Sequence, residues 1–148
     1  MLFLGEYRVN FSGQGRVVIP KKIREALGKT KVFTLTKGFD RCLSGFRNDE
    51  WEKETLKLMS GSALEMQRSE MKRHLFSSAN VVEIDDQGRV VIPKNLLNYA
   101  ELNGDDVTLI GVGTYFELWN TEKWQEYSKA IEKNMRNITQ GSNNVDKK

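Results

Sequence analysis

Hydrophobic and polar positions fall into short blocks along this chain, and the blocks come in two matching sets. "YRVNF" and "NVVEI" read as strands carrying β-branched or aromatic residues. Each runs into turn chemistry, "SGQG" and "DDQG", where glycine can take a positive φ, and then into a second strand, "RVVI". Pro20 and Pro93 close those strands, because proline lacks the N–H a ladder needs, and they suit the first turn of a helix. "KKIREAL" then places Ile23, Ala26 and Leu27 on one helical face, and "NLLNYA" does likewise. "KVFTLT" with "RCLSGF", and "DVTLIG" with "YFELW", predict two further strand pairs joined by glycine-containing turns.

Each set is therefore a β–β–α–β–β unit, and the two are copies. The octapeptide "QGRVVIPK" occurs at Gln14–Lys21 and again, letter for letter, at Gln87–Lys94, 73 positions on. At that offset Val9 meets Val82, Phe11 meets Ile84, Ile23 meets Leu96, Gly38 meets Gly111, Leu43 meets Phe116, Phe46 meets Trp119 and Trp51 meets Trp124. Phe33 and Leu35 fall opposite Asp106 and Thr108, so the register is expected to slip by a residue there. A unit this small buries little core alone and leaves strand edges bare. Two copies packed against or interleaved with each other solve both problems. The expected fold is α+β, mainly β: a pseudo-twofold barrel with helices packed outside.

The expected organisation is a first unit at residues 1–52, connecting helices at 53–79, a second unit at 80–124, an amphipathic helix at 125–138 and a disordered tail at 139–148. The connecting region reads as helix from about residue 48, with a capping box at Ser62 and Glu65. In the last helix Trp124, Tyr127, Ile131, Met135 and Ile138 form an apolar stripe that needs a partner.

Composition adds exclusions. A hydrophobic share of 39% and a charged share of 29% are those of a globular chain. No apolar run approaches the roughly 20 residues of a membrane span, and "MLFL" lacks the basic flank of a signal peptide. The expected location is the cytoplasm. The single cysteine, Cys42, excludes an internal disulfide and a Cys-rich zinc site, and reads as a buried structural thiol. The single histidine, His74, has no Asp or Ser at a telling spacing and reads as a solvated surface side chain. "GQGRVV" lacks the third glycine of a dinucleotide fingerprint, and no Gly-Lys-Ser/Thr follows a glycine loop. No cluster has metal-ligand spacing. Asp85 with Asp86, and Asp105 with Asp106, read as turn-capping side chains. No enzyme, cofactor, metal or small-molecule substrate is expected.

Charge is distributed unevenly. Residues 1–52 hold ten Lys/Arg against six Asp/Glu, a net +4, whereas residues 80–124 hold three against eight, a net −5. The bases of the first unit gather round the octapeptide: Arg8, Arg16, Lys21, Lys22 and Arg24. A β-hairpin carrying arginines is narrow enough for a DNA major groove, and Arg forks to guanine O6 and N7. Lysines at a helix start suit phosphates. Charge alone also fits an ordinary solvated basic face.

The phrase F-x-x-x-G-R-V-V-I-P-K-x-I-R, with "FELW" and a following Trp in the second unit, resembles the MraZ family of tandem SpoVT/AbrB-like swapped-hairpin regulators, over residues 1–138. The resemblance implies a double-psi-like swapped-hairpin barrel. It implies a ring-shaped homo-oligomer, an octamer, that binds double-stranded DNA at promoter direct repeats. It further implies nucleoid association and repression of the division and cell-wall gene cluster. The family's Asp-x-x-x-Arg signature stands in the second unit as Asp85 and Arg89, whereas the first has Ser12 before Arg16. Ser12 can cap a turn but cannot pair with a guanidinium. Either the first hairpin has lost its role, or Arg16 is freed for DNA. The basic surroundings favour the second: Arg16 as main base reader, Gln14 as a second contact, and Arg8, Lys21, Lys22 and Arg24 on phosphate. Arg89 is counted with the DNA-binding residues too, and is expected in a salt bridge with Asp85. The acidic second unit of one subunit is expected against the basic first unit of the next. The rival reading is an antitoxin-like or other protein-interaction module, which two units and a short tail argue against.

Overall fold

The computed structural model describes residues 1–12, 14–60, 66–103 and 106–146, with side chains through Thr139. The Ser62–Glu65 capping box and Asp105 lie outside the described residues. The first unit supplies β1 (Glu6–Ser12), β2 (Arg16–Val18), α1 (Lys21–Leu27), β3 (Val32–Lys37) and β4 (Leu43–Phe46). Two helices follow, α2 (Asn48–Met59) and α3 (Met66–Ser78). The second unit repeats the order as β5 (Asn80–Glu83), β6 (Arg89–Val91), α4 (Lys94–Ala100), β7 (Asp106–Gly111) and β8 (Phe116–Asn120), before α5 (Thr121–Asp146).

The eight strands form one antiparallel sheet in the order β5-β3-β4-β8-β7-β1-β2-β6. The β5–β6 hairpin brings its ends together, Asp85 N–H donating to Arg89 O at 2.9 Å, so the sheet curls into a nearly closed barrel. The units interleave rather than stack. β1 pairs with β7 and β5 with β3, so each unit's first strand completes the other's sheet. β2 pairs with β6, and β4 with β8, across the pseudo-twofold axis at opposite sides of the barrel. Every strand thereby gains neighbours that its own unit cannot supply.

The expected slip in the repeat is real and local. β7 starts 74 residues after β3, while α1/α4 and the starts of β4/β8 keep 73. The β3–β4 turn holds one residue more than the β7–β8 turn, which restores the offset. The extra length is absorbed where Asp40 and Arg41 take positive φ. Gly111 closes β7 in the place that Lys37 holds in β3, and not in that of Gly38.

The core lies inside the barrel. Ile23, Ala26 and Leu27 of α1, and Leu96 and Ala100 of α4, seal it from outside, as the helical spacing predicts. Phe116 sits at its centre, edge-on to Phe3 and to Phe33 with ring centroids 5.3 Å from each. Val17 and Val90 point into this core from the two strands of the β2–β6 ribbon.

Two outcomes differ from expectation. α5 does not stop at residue 138 before a disordered tail but continues to Asp146. No proline interrupts that stretch, and Gly141 alone does not end the helix. His74 is not a solvated surface residue. α3 folds back on β3, and His74 Nε2 lies 2.8 Å from Gly38 O while its ring stacks on Phe39 and meets Tyr99 edge-on.

Candidate nucleic-acid interface

The octapeptides meet in space. Ile19 N–H donates to Gly88 O at 2.8 Å, and Ile92 N–H donates to Gly15 O at 2.9 Å. These are the same bond made twice across the pseudo-twofold. Between them β2 and β6 run antiparallel with Arg16 opposite Val91, Val17 opposite Val90 and Val18 opposite Arg89. Side chains alternate along a strand. Since Val17 and Val90 point inward, Arg16, Val18, Arg89 and Val91 share the outer face. The two arginines are diagonal neighbours there, about 7–8 Å apart at Cα by the geometry of such pairs.

The flanking turns depend on Gly15 and Gly88, whose φ values are 75° and 79°. A Cβ at Gly15 would lie 2.9 Å from Leu97 Cδ1, and one at Gly88 would lie 3.2 Å from Arg24 Cζ. Leu97 and Arg24 are repeat equivalents. Each hairpin turn is thus propped by the other unit's first helix, by an apolar side chain on one side and a guanidinium on the other. Arg24 also donates from Nε to Ile19 O at 3.1 Å. Its role as a brace is visible, and its residue remains exposed beside the ribbon.

The hairpins differ in how they hold their arginines. Asp85 Oδ1 accepts from Gln87 N–H and Arg89 N–H, each at 2.9 Å, which caps the turn. Its Oδ2 accepts from Arg89 Nε at 3.0 Å. The Arg89 backbone N–H, above all, holds the Asp85 carboxyl below its ordinary value. In the first hairpin Ser12 O accepts from Gly15 N–H at 3.0 Å, which keeps the turn. Among the described residues no carboxylate pairs with Arg16. Among the described residues no ion pair or side-chain hydrogen bond holds Arg16, and none holds Gln14, Arg8, Lys21 or Lys22.

The amino-acid charges also meet within the chain. Lys31 Nζ reaches Asp86 Oδ1 at 3.2 Å, and Arg24, Lys29 and Lys31 line a cleft with Asp85 and Asp86. The acidic second turn thus has first-unit bases of the same molecule beside it, and stays exposed to solvent.

A family model described as "MraZ protein, putative antitoxin-like" matches residues 2–72 and again 75–146. The chain belongs to the MraZ family. It is 43% identical to the "Transcriptional regulator MraZ" of Clostridium tetani over 129 residues, 87% of this chain and 89% of that protein. It is 43% identical to the protein so named from Acetivibrio thermocellus over 127 residues, 86% and 87% of the two chains. The like-named protein of Roseiflexus castenholzii is 38% identical over 133 residues, 90% and 91%.

The MraZ repeat explains what the charge count obscures. Arg16 was expected as the main base reader and Arg89 as a DNA-binding residue paired with Asp85, and the two lie on one outer ribbon face. Gln87 and Lys94, repeat equivalents of Gln14 and Lys21, are exposed in matching places, and neither stood among the expected residues. The octapeptide held the signal for them, and the acidic total of the second unit drew attention away. A two-stranded antiparallel ribbon of this kind fits the roughly 12 Å major groove. Lys21 and Lys22 open α1 next to it and are exposed.

Buried Cys42 and half-buried Glu117 form a separate cluster. Cys42 Sγ donates to Phe39 O at 3.0 Å and to Glu117 Oε2 at 3.3 Å, and Trp119 Nε1 donates to Glu117 Oε1 at 3.1 Å. Burial, then the neighbouring Glu117, pushes the thiol far above its ordinary value, so it stays protonated and inert. Among the described residues no group of three or more His, Cys, Asp or Glu could hold a metal ion. No described helix is long and apolar enough to cross a membrane.

Proposed function

We propose that this MraZ chain is a transcriptional regulator that reads double-stranded DNA with the outer face of the β2–β6 ribbon. The observation that carries the reading is Arg16: outward-facing, unpaired, and diagonal to an Arg89 that Asp85 holds in place. Arg16 leads base recognition, with Gln14 and Arg89 beside it on the ribbon and its turns. Arg8, Lys21, Lys22 and Arg24 meet phosphates, Arg24 through the Nη groups that its brace leaves free. The sites are promoter direct repeats, the chain acts as a ring-shaped octamer on the nucleoid, and the outcome is repression of the division and cell-wall gene cluster. Family resemblance supports these finer statements. Repetition of one module over repeated boxes also raises effective concentration, which a ribbon with few base contacts needs.

The test is binding to DNA from upstream of the protein's own gene, with competitor DNA and a salt series, for wild type, Arg16→Ala and Arg89→Ala. Loss of one base contact costs about 1–3 kcal/mol of discrimination. Arg16→Ala is expected to lose specific binding and Arg89→Ala to weaken it less. Arg16→Ala binding at wild-type strength would overturn the assignment. A chain that shows no specific binding at any salt, yet captures a protein partner, would favour the interaction-module reading.

A further inference from the structure

The two ends of the β2–β6 ribbon are repeat equivalents in backbone and opposites in charge. At one end the β5–β6 turn meets α1 and the loop that follows it, residues 28–31, "GKTK". At the other end the β1–β2 turn meets α4, and the loop that follows α4 is residues 101–105, "ELNGD". The first loop carries two lysines and no acid, the second two acids and no base. The helices differ in the same sense: Arg24 lies against Gly88 at the first end, and its equivalent Leu97 lies against Gly15 at the second.

The cations of the first end surround a cleft of about 300 Å³, which Arg24, Lys29 and Lys31 line together with Asp85 and Asp86. The loop is tied to the hairpin across it, because Ile84 N–H donates to Lys31 O at 2.7 Å. Space remains beside Gly28, where a Cβ would meet nothing within 4 Å. Asp85 also accepts from Arg89 on the ribbon, so the cleft borders the ribbon's outer face. With Asp85 committed to Arg89, the three cations face one remaining carboxylate, and the cleft keeps a positive balance that an oxyanion would neutralise. That carboxylate, Asp86, meets Lys31 at 3.2 Å, and its side chain is 96% exposed. An ion pair this exposed contributes little and exchanges readily. Among the described residues Lys29 makes no ion pair or side-chain hydrogen bond.

We propose that this cleft seats one backbone phosphate of the DNA beside the box that the ribbon reads, with Lys31 leaving Asp86 to meet it, and that the opposite end seats none. A protomer then lies on its box in one orientation, with the α1–β3 loop marking one flank. This rests on the ribbon reading stated under the proposed function and adds the residues that orient it. The occupant is a backbone phosphate because the cleft shares Asp85 with the ribbon: a duplex laid on Arg16 and Arg89 brings its backbone past Lys29 and Lys31. Phosphate contacts fix register and orientation and carry no base information, so Lys29 and Lys31 are positioning residues. Asp86 competes with the phosphate for Lys31, which tunes affinity without discriminating between bases.

The experiment uses the full chain and duplexes from upstream of its own gene, in which one phosphate at a time, on either flank of a box, is replaced by an uncharged methylphosphonate. Polarisation compares wild type with variants that change only exposed positions, and circular dichroism shows that each is folded. On unmodified DNA, Lys29→Ala/Lys31→Ala is expected to bind severalfold more weakly, with unchanged discrimination against random DNA and a salt slope lower by about 1 per protomer engaged. On the modified duplexes, one phosphate on one flank is expected to weaken wild type severalfold and to leave Lys29→Ala/Lys31→Ala unaffected. Asp86→Asn is expected to tighten binding, and Lys31→Ala/Asp86→Asn to bind no better than Lys31→Ala. A Lys29→Ala/Lys31→Ala chain as sensitive as wild type at every phosphate overturns the cleft as a phosphate site. Matching losses on both flanks overturn the single orientation. A gain from Asp86→Asn that persists without Lys31 overturns the competition between Asp86 and phosphate. Wild type without specific binding removes the ribbon reading and the cleft with it, whereas a difference confined to these variants bears on the cleft alone.

Discussion

Arg89 Nε sits 3.0 Å from Asp85 Oδ2 on the second hairpin, and at the equivalent place on the first, Ser12 offers Arg16 no carboxylate of its own. One substitution can make the hairpins alike. Ser12→Asp is expected to draw Arg16 into the same bidentate turn, adding a negative charge to the DNA face. Specific affinity should fall severalfold, with little change in folding stability, because exposed ion pairs contribute little. Polarisation of labelled promoter DNA reads this directly. Unchanged or tighter binding would mean that a braced arginine reads bases better than a free one, and would shift the main contact to Arg89.

Lys21 and Lys22 are exposed at the start of α1, beside the ribbon. If each neutralises a phosphate, Lys21→Ala and Lys22→Ala should each reduce the slope of log affinity against log salt by about 1 per protomer engaged. Discrimination between specific and random DNA should stay nearly constant. A change in discrimination with an unchanged slope would place these side chains on bases.

Gly45 crosses the ring of Phe116 so closely that a Cβ there would lie 2.3 Å from Phe116 Cζ. Phe116 is fully buried between Phe3 and Phe33 and has no room to yield. Gly45→Ala is expected to cost about 1–3 kcal/mol by overpacking. Urea unfolding monitored by tryptophan fluorescence measures it, and an unchanged midpoint would show that the barrel can shift at this point.

Burial raises the Glu117 carboxyl above its ordinary value, against the lowering effect of the Trp119 and Cys42 hydrogen bonds. A raised carboxyl binds its proton more tightly in the folded state. The contribution of this group to stability is therefore largest in acid and is lost as pH rises from the ordinary glutamate range through the raised value. Glu117→Gln keeps an acceptor and cannot ionise. It is expected to match wild type near pH 4 and to exceed it near neutral pH. Denaturation midpoints across that range decide it; a constant difference at all pH values would show that packing, not ionisation, separates the two.

Much of the fold was legible because its determinants are local. β2 and β6 could be placed from "RVVI" and the proline after each, and α1 from the spacing of Ile23, Ala26 and Leu27. The residue slip at Phe33 was legible from the broken hydrophobic match alone. His74 was misread because α3 carries almost no amphipathic pattern: its burial comes from the β3–β4 turn that it happens to meet. The α5 boundary was misread because an end without proline leaves only composition to judge by.

What the chain determined by itself is the grammar of one unit, written twice: strand, glycine turn, strand, proline, helix, hairpin. Periodicity, φ restrictions and capping act over a few residues, so they can be read from a line of text. Only the tertiary structure decided that β1 belongs with β7, that Arg24 braces the turn at Gly88, and that Arg16 and Arg89 share one ribbon. Those relations join residues far apart in the chain. They are set by which pairing buries Val17 and Val90 together and leaves the fewest strand edges bare, a free energy that belongs to the nearly closed barrel and to neither copy alone.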